Sequence, residues 1–183
     1  KILGFPNAEI LYEGMGSLST ANFSNYPPVS QYLYKIMGYL NRGDLIVPVL
    51  SLRIIYFIGE IFVFFLGIKL LKKVNLNPEY MGWYFLNPLV IIEGVGNLHG
   101  EAFMLCFTLA AILFLASKKS ILGGVFMSLA IGVKLLPLLI IPIFFRYLGI
   151  RKFLSFSFSI LFFSLLIWGV FLETEMILNY KNT

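Results

Sequence analysis

Residues 82–105 read GWYFLNPLVIIEGVGNLHGEAFML, an apolar run interrupted at its centre by Glu93, Asn97, His99 and Glu101. Two carboxylates, an amide and the chain's single histidine fall between positions 93 and 101, with strongly hydrophobic sequence on either side. A charge in hydrocarbon costs between about 3 and 10 kcal/mol, so ionisable residues in such sequence face protein or water and usually have a task. Gly94, Gly96 and Gly100 are interleaved with them, and glycine at a helix break lets backbone approach a ligand or a second helix. The stretch reads as one wall of an active site in a membrane-embedded enzyme.

Composition supports the membrane half of that reading. Hydrophobic residues make up 59% of the chain and charged residues 13%, with a mean hydropathy of +0.88, whereas about 25% charged residues is ordinary for a globular domain. Long apolar runs recur from residue 45 to residue 172, so the expected fold class is all-α, a multi-pass integral membrane helix bundle. The net charge of +5 is a topology signal, because Lys and Arg collect on the cytoplasmic side. The basic residues come in twos and threes at helix ends and form no single patch, which excludes nucleic acid as the partner. Cys106 is the only cysteine, so no internal disulfide exists. The chain opens on Lys1 without a leader-type segment and stops at Asn182-Thr183 after a span, so it is expected to be a piece of a longer membrane protein.

Residues 1–44 are expected to form an external loop with an interfacial helix over Gln31–Leu40, and residues 45–183 the transmembrane region. Leu45–Leu71 is the first clear span and ends at Lys69, Lys72 and Lys73, with Arg53 and Glu60 on one stripe of it. Asn77-Pro78 opens the next helix, but the run from Pro78 to Glu93 is short for crossing about 30 Å of hydrocarbon. Ala102–Ser117 is a second short run closed by Lys118-Lys119, and Ile121–Val133 a third, ended by Lys134-Leu-Leu-Pro137. Leu138–Phe145 leads to Arg146, and a last span over Phe153–Leu172 follows Arg151-Lys152. If 78–117 and 120–146 are single broken spans, the basic clusters lie on both sides. If each is a hairpin of two short helices, all three clusters share the cytoplasmic face, which the positive-inside rule prefers. Hairpins also gather residues 93–101, Lys134 and the loop 1–44 on the other side.

The chemistry on offer is acid–base work and anion binding. An imidazole exchanges a proton near neutral pH, and Glu93, Glu101 and Glu60 are possible bases or acceptors for sugar hydroxyls. Lys134, alone at a helix break, is a natural counter-ion for phosphate, with Arg53 and Arg42 in support. One histidine among scattered glutamates lacks the spacing of a zinc site. The sequence has no phosphate-cradling glycine loop and no nucleophile elbow, which favours a lipid-borne substrate.

Four segments in order are Tyr-Pro-Pro-Val-Ser-Gln (26–31), Trp-Tyr-Phe-Leu-Asn-Pro-Leu (83–89), Glu93 with Asn97-Leu-His-Gly-Glu101, and Lys134-Leu-Leu-Pro-Leu138. Together they resemble bacterial mannosyltransferase-like proteins of the GT-C class, multi-pass glycosyltransferases that use polyprenyl-phosphate sugars. The resemblance implies transfer of a sugar, with mannose expected, from a polyprenyl-phosphate donor to a glycan or lipid acceptor. The reaction would be inverting, at the non-cytoplasmic face of the bacterial inner membrane, with or without a divalent cation. It implies that Asn97, His99 and Glu101 line the sugar and acceptor cavity, that Lys134 meets the donor phosphate and that Tyr26-Pro27-Pro28 shapes the loop beside them. With the residue chemistry above, the expected catalytic residues are His99, Glu101 and Glu93, and the expected substrate contacts Asn97, Lys134, Tyr26, Gln31 and Arg53. The class usually carries a catalytic acidic residue in the loop after its first span. Here Glu9 and Glu13 are the early candidates, so the general base stays open between them, His99, the later glutamates and a residue outside the chain. Two other classes remain: a secondary transporter, since broken helices also build substrate sites near the membrane midplane, and a non-catalytic membrane subunit.

Overall fold

The structure, a computed structural model, describes residues 26–40 and 46–169, and every regular element among them is helical. Helix α1 (Pro28–Leu40) starts three residues before the expected interfacial helix. The Tyr-Pro-Pro segment reads as loop, yet proline is at home in a first helical turn, where its missing N–H is not needed. The rest of the expected loop, residues 1–25 and 41–44, lies outside the described residues.

Helix α2 (Ile46–Lys73) has 28 residues and a mean hydropathy of 2.2 in its most apolar window, and measures about 42 Å at 1.5 Å per residue. Its buried positions are Leu52, Tyr56, Gly59, Glu60, Val63 and Gly67, a stripe at the three- and four-residue spacing of one helix face. Ile54, Phe57, Phe62 and Phe65 remain exposed, as side chains facing lipid would. The helix stops at Lys72-Lys73, where Asn75 adopts a left-handed φ of 58° and Leu76 N–H returns to the Leu71 carbonyl at 2.9 Å. This is a Schellman ending, which satisfies carbonyls a helix terminus leaves open.

The chain then runs back along α2. Met81 of α3 (Tyr80–Phe85) meets Gly67, and the Tyr84 hydroxyl donates to Glu60 at 3.1 Å. After α4 (Pro88–Val90) a π-helical turn, Ile91–Gly96, brings Gly96 to Arg53. Helix α5 (Glu101–Ala116) reverses again, with Phe103 against Gly59 and Ser117 accepting from Lys73 at 3.2 Å. The two limbs meet at 108°. Segment 78–117 is therefore a hairpin.

The second apolar segment is built alike. Helix α6 (Ser120–Val133) packs between α5 and α8 (Ile150–Gly169). The 3-10 turn Leu136–Ile140 and helix α7 (Ile141–Leu148) fold back on a core of Ala111, Leu115, Met127, Ile131, Phe156 and Ile160. Lys73, Lys118-Lys119 and Arg151-Lys152 thus gather at one end, and Glu93–Glu101 with Lys134 at the other. Helix α8 begins directly after Gly149, three residues before the expected span, and is described to Gly169. By length and composition α2 and α8 suffice to cross a membrane, and Pro88–Ala116 makes a third if its bent halves are one span.

Gly123 and Gly124 let α6 pass between its neighbours. A Cβ at Gly124 would lie 2.7 Å from the Phe156 carbonyl oxygen, and one at Gly123 would strike the Leu115 side chain. Backbone cannot step aside, so Gly124→Ala is expected to destabilise by about 1–3 kcal/mol. Gly38→Ala in α1, where nothing lies within 4 Å, should instead be neutral or stabilising by up to about 1 kcal/mol. Thermal unfolding of both variants in detergent checks the pair.

Candidate functional site

At the end away from the lysines, the tips of both hairpins and the start of α1 enclose a cavity of about 170 Å³ lined by Tyr26, Ser30, Tyr34, His99, Gly100, Glu101, Val133 and Lys134. Each wall has a local cause. Glu101 is the first residue of α5, where a carboxylate is favoured by the helix dipole. Lys134 ends α6 in an extended conformation (φ −154°, ψ 140°), since Pro137 follows and helix cannot continue through it. Ser30 of α1 donates to the Val133 carbonyl at 3.0 Å, satisfying an acceptor that the end of α6 leaves open.

The Lys134 ammonium pairs with Glu101 across the cavity. His99 Nδ1 is 3.3 Å from Glu93 and 4.0 Å from Glu101, and Asn97 donates to the other Glu93 oxygen at 3.2 Å. Glu93 thus holds the imidazole from behind without lining the cavity. The turn itself is fixed by main-chain bonds: Asn97 N–H to Ile92 at 2.7 Å closes the wide π turn, and His99 N–H reaches Glu93 at 3.3 Å. Between them Leu98 has a left-handed φ of 59°, a conformation that costs an L-residue with a Cβ roughly 1–2 kcal/mol. Its side chain packs on Met37, Leu52 and Tyr56, which offsets that strain. Gly100 allows a close approach, since a Cβ there would lie 3.3 Å from Val133 Cγ1.

Of the residues expected at the site, Tyr26, His99, Glu101 and Lys134 line the cavity. Glu93 and Asn97 stand behind His99. Arg53 reaches outward to the Gly96 carbonyl at 3.4 Å, and Gln31 donates to the Tyr26 carbonyl at 3.2 Å, so both brace the walls. Glu60 is buried against Tyr84, away from the cavity. Glu9, Glu13 and Arg42 fall outside the described residues. Among the described residues no three His, Cys, Asp or Glu side chains come together to hold a metal ion.

Ser30 and Tyr34 are cavity residues that sequence reading passed over. They lie four residues apart on one face of α1, visible once α1 is begun at Pro28, and Tyr26 stands two residues before it. The Tyr26 and Tyr34 rings meet edge to face at 5.5 Å. Burial holds the Tyr34 phenol above its ordinary value, with the nearby Tyr26 and Glu101 adding to the rise and a hydrogen bond with Tyr56 opposing it. Tyr34 therefore presents a protonated hydroxyl at neutral pH.

The cavity combines an imidazole oriented by a carboxylate, a paired ammonium, and hydroxyl groups suited to hydrogen-bonding a polar substrate. No curated protein sequence and no solved structure matches the chain. The model of one family, described as alpha-(1->6)-mannopyranosyltransferase, N-terminal domain, matches residues 8–148, which include α1 to α7 and all the cavity residues. The chain belongs to this alpha-(1->6)-mannopyranosyltransferase family.

Proposed function

We propose that the chain is part of a membrane-embedded glycosyltransferase that moves mannose from a polyprenyl-phosphate donor to a hydroxyl of a glycan or lipid acceptor. The observation that carries this reading is the single cavity in which His99, Glu101 and Lys134 meet, in a chain of a mannosyltransferase family. The basic clusters sit at the opposite end, which by the positive-inside rule supports a cavity on the non-cytoplasmic face.

The reaction is a single displacement. Glu93 holds His99 through Nδ1, leaving Nε2 for the acceptor hydroxyl. As Nε2 takes that proton, the acceptor oxygen attacks the anomeric carbon and the bond from that carbon to the phosphate oxygen breaks. The leaving phosphate draws Lys134 from Glu101, and the ammonium neutralises the charge that develops on it. Glu101, released, accepts from a sugar hydroxyl, and Tyr26 and Tyr34 bound the sugar. Asn97 and Arg53 keep the 93–101 turn in position, and Gln31 does the same for Tyr26.

Transfer of labelled mannose from polyprenyl-phosphate mannose in proteoliposomes tests the assignment. His99→Ala is expected to lower kcat by about 10²-fold or more, and Lys134→Gln to weaken donor use by at least about tenfold. Wild-type rates in both variants, with unfolding temperatures unchanged, reject the site.

Orientation has its own test. In a chain carrying Cys106→Ser, a cysteine at position 99 should react with a membrane-impermeant thiol reagent from outside spheroplasts, and one at position 118 only after the membrane is opened. The reverse pattern turns the cavity to the cytoplasm.

A further inference from the structure

The end of the molecule opposite the cavity carries a second concave site, of about 360 Å³, between the start of α6 and the start of α8. Lys118, Lys119, Arg151 and Lys152 all line it, and all four are exposed. Among the described residues none of them forms an ion pair; the three such pairs all lie at the other end.

Helix N-termini prefer acidic residues, because the first amides and the dipole both present positive charge. Neither α6 nor α8 has an acidic residue in its first turn, and α6 has no side-chain cap. Two positive helix ends and four cations therefore converge on one hollow, an arrangement that repels itself unless an anion is present. A second observation points the same way. Ser120 lines this hollow and is only 8% exposed, yet its hydroxyl is the one buried side-chain polar atom among the described residues without a hydrogen-bond partner. Buried polar atoms are nearly always satisfied, and an orphan signals a missing ligand or water.

The backbone adds a third. Lys118 stands at the left-handed position of a Schellman ending of α5, with φ 61°, Lys118 N–H on Leu115 at 2.9 Å and Lys119 N–H on Phe114 at 2.9 Å. Glycine or asparagine suits that conformation best. A lysine there keeps a charge at the rim in spite of the backbone.

We propose that this hollow binds a phosphate group, with the first amides of α6 as hydrogen-bond donors, Ser120 Oγ joining them once its side chain turns from its enclosed position, and Lys118, Lys119, Arg151 and Lys152 as counter-charges. Membrane phospholipid is the source that fits the surroundings. The hollow lies at the ends of apolar helices, and Ile121 on its wall is 61% exposed, offering acyl chains a surface beside the headgroup. Anionic lipid attracts basic clusters at this depth. The inference does not depend on the transferase reading.

Native mass spectrometry of the full chain in neutral detergent, titrated with phosphatidylglycerol, phosphatidylcholine or inorganic phosphate, tests it. Phosphatidylglycerol should be retained at least tenfold more tightly than phosphatidylcholine. Lys119→Gln with Arg151→Gln should abolish that preference, Ser120→Ala should weaken it severalfold, and Lys35→Gln should leave it unchanged. Lys118→Gly keeps the backbone favourable and removes one charge, so it should weaken retention without lowering the unfolding temperature. Competition by millimolar inorganic phosphate supports the phosphate site and shifts its source to a soluble phosphate; its absence supports the lipid. Equal retention of both lipids with no phosphate binding overturns the proposal. So does an equal loss in Lys35→Gln, or full retention in Ser120→Ala, since either marks diffuse charge without a built site.

Discussion

The pairing of Lys134 with Glu101 joins the tips of the two hairpins, and the arrangement of the cavity follows from it. Each residue alone would be a charge stranded among apolar side chains at the end of a short helix, and each lies where helix is interrupted. Bringing them together needs α5 and α6 to be antiparallel neighbours, which the close approach at Gly123 permits. It also needs α1 to lie across the end of α6, which Ser30 and Val133 fix. Side chains of both charged residues stay partly open, 38% for Glu101 and 53% for Lys134, so the pair is a positional device more than a store of stability.

The same region manages its backbone with unusual means. A hairpin tip among apolar helices must satisfy its own amides and carbonyls, because hydrocarbon offers no partners. Here a π turn, a left-handed leucine and the reach of Arg53 to the Gly96 carbonyl do this in sequence. Irregular backbone and reactive side chains occupy one set of residues, as they commonly do at functional sites.

Much of this was legible in the sequence. The hairpins follow from runs too short to cross a membrane, with lysines after every second one, and the structure folds both as that pattern requires. The meeting of Lys134 with residues 97–101 follows in turn, as does the all-helical class. Other features left no trace. Nothing in a leucine announces a left-handed φ, because Leu98 is held there by packing on α1 and α2. Arg53 and Gln31 each donate to a main-chain carbonyl, a contact set by distances that appear only on folding. The early start of α1 was readable from Pro28 in principle, and missing it hid Ser30 and Tyr34. The orphaned Ser120 hydroxyl was invisible, since solvation depends on how α6 and α8 close around it.

The turn at Ile91–Gly96 has a consequence for register. A π turn takes one residue more than an α turn, so the chain leaves it about 100° further round than an α turn would place it. The widened turn and the left-handed Leu98 together set where the imidazole emerges. A homologous chain one residue shorter here would close an ordinary α turn, keep its hairpin and its hydropathy profile, and point its histidine elsewhere.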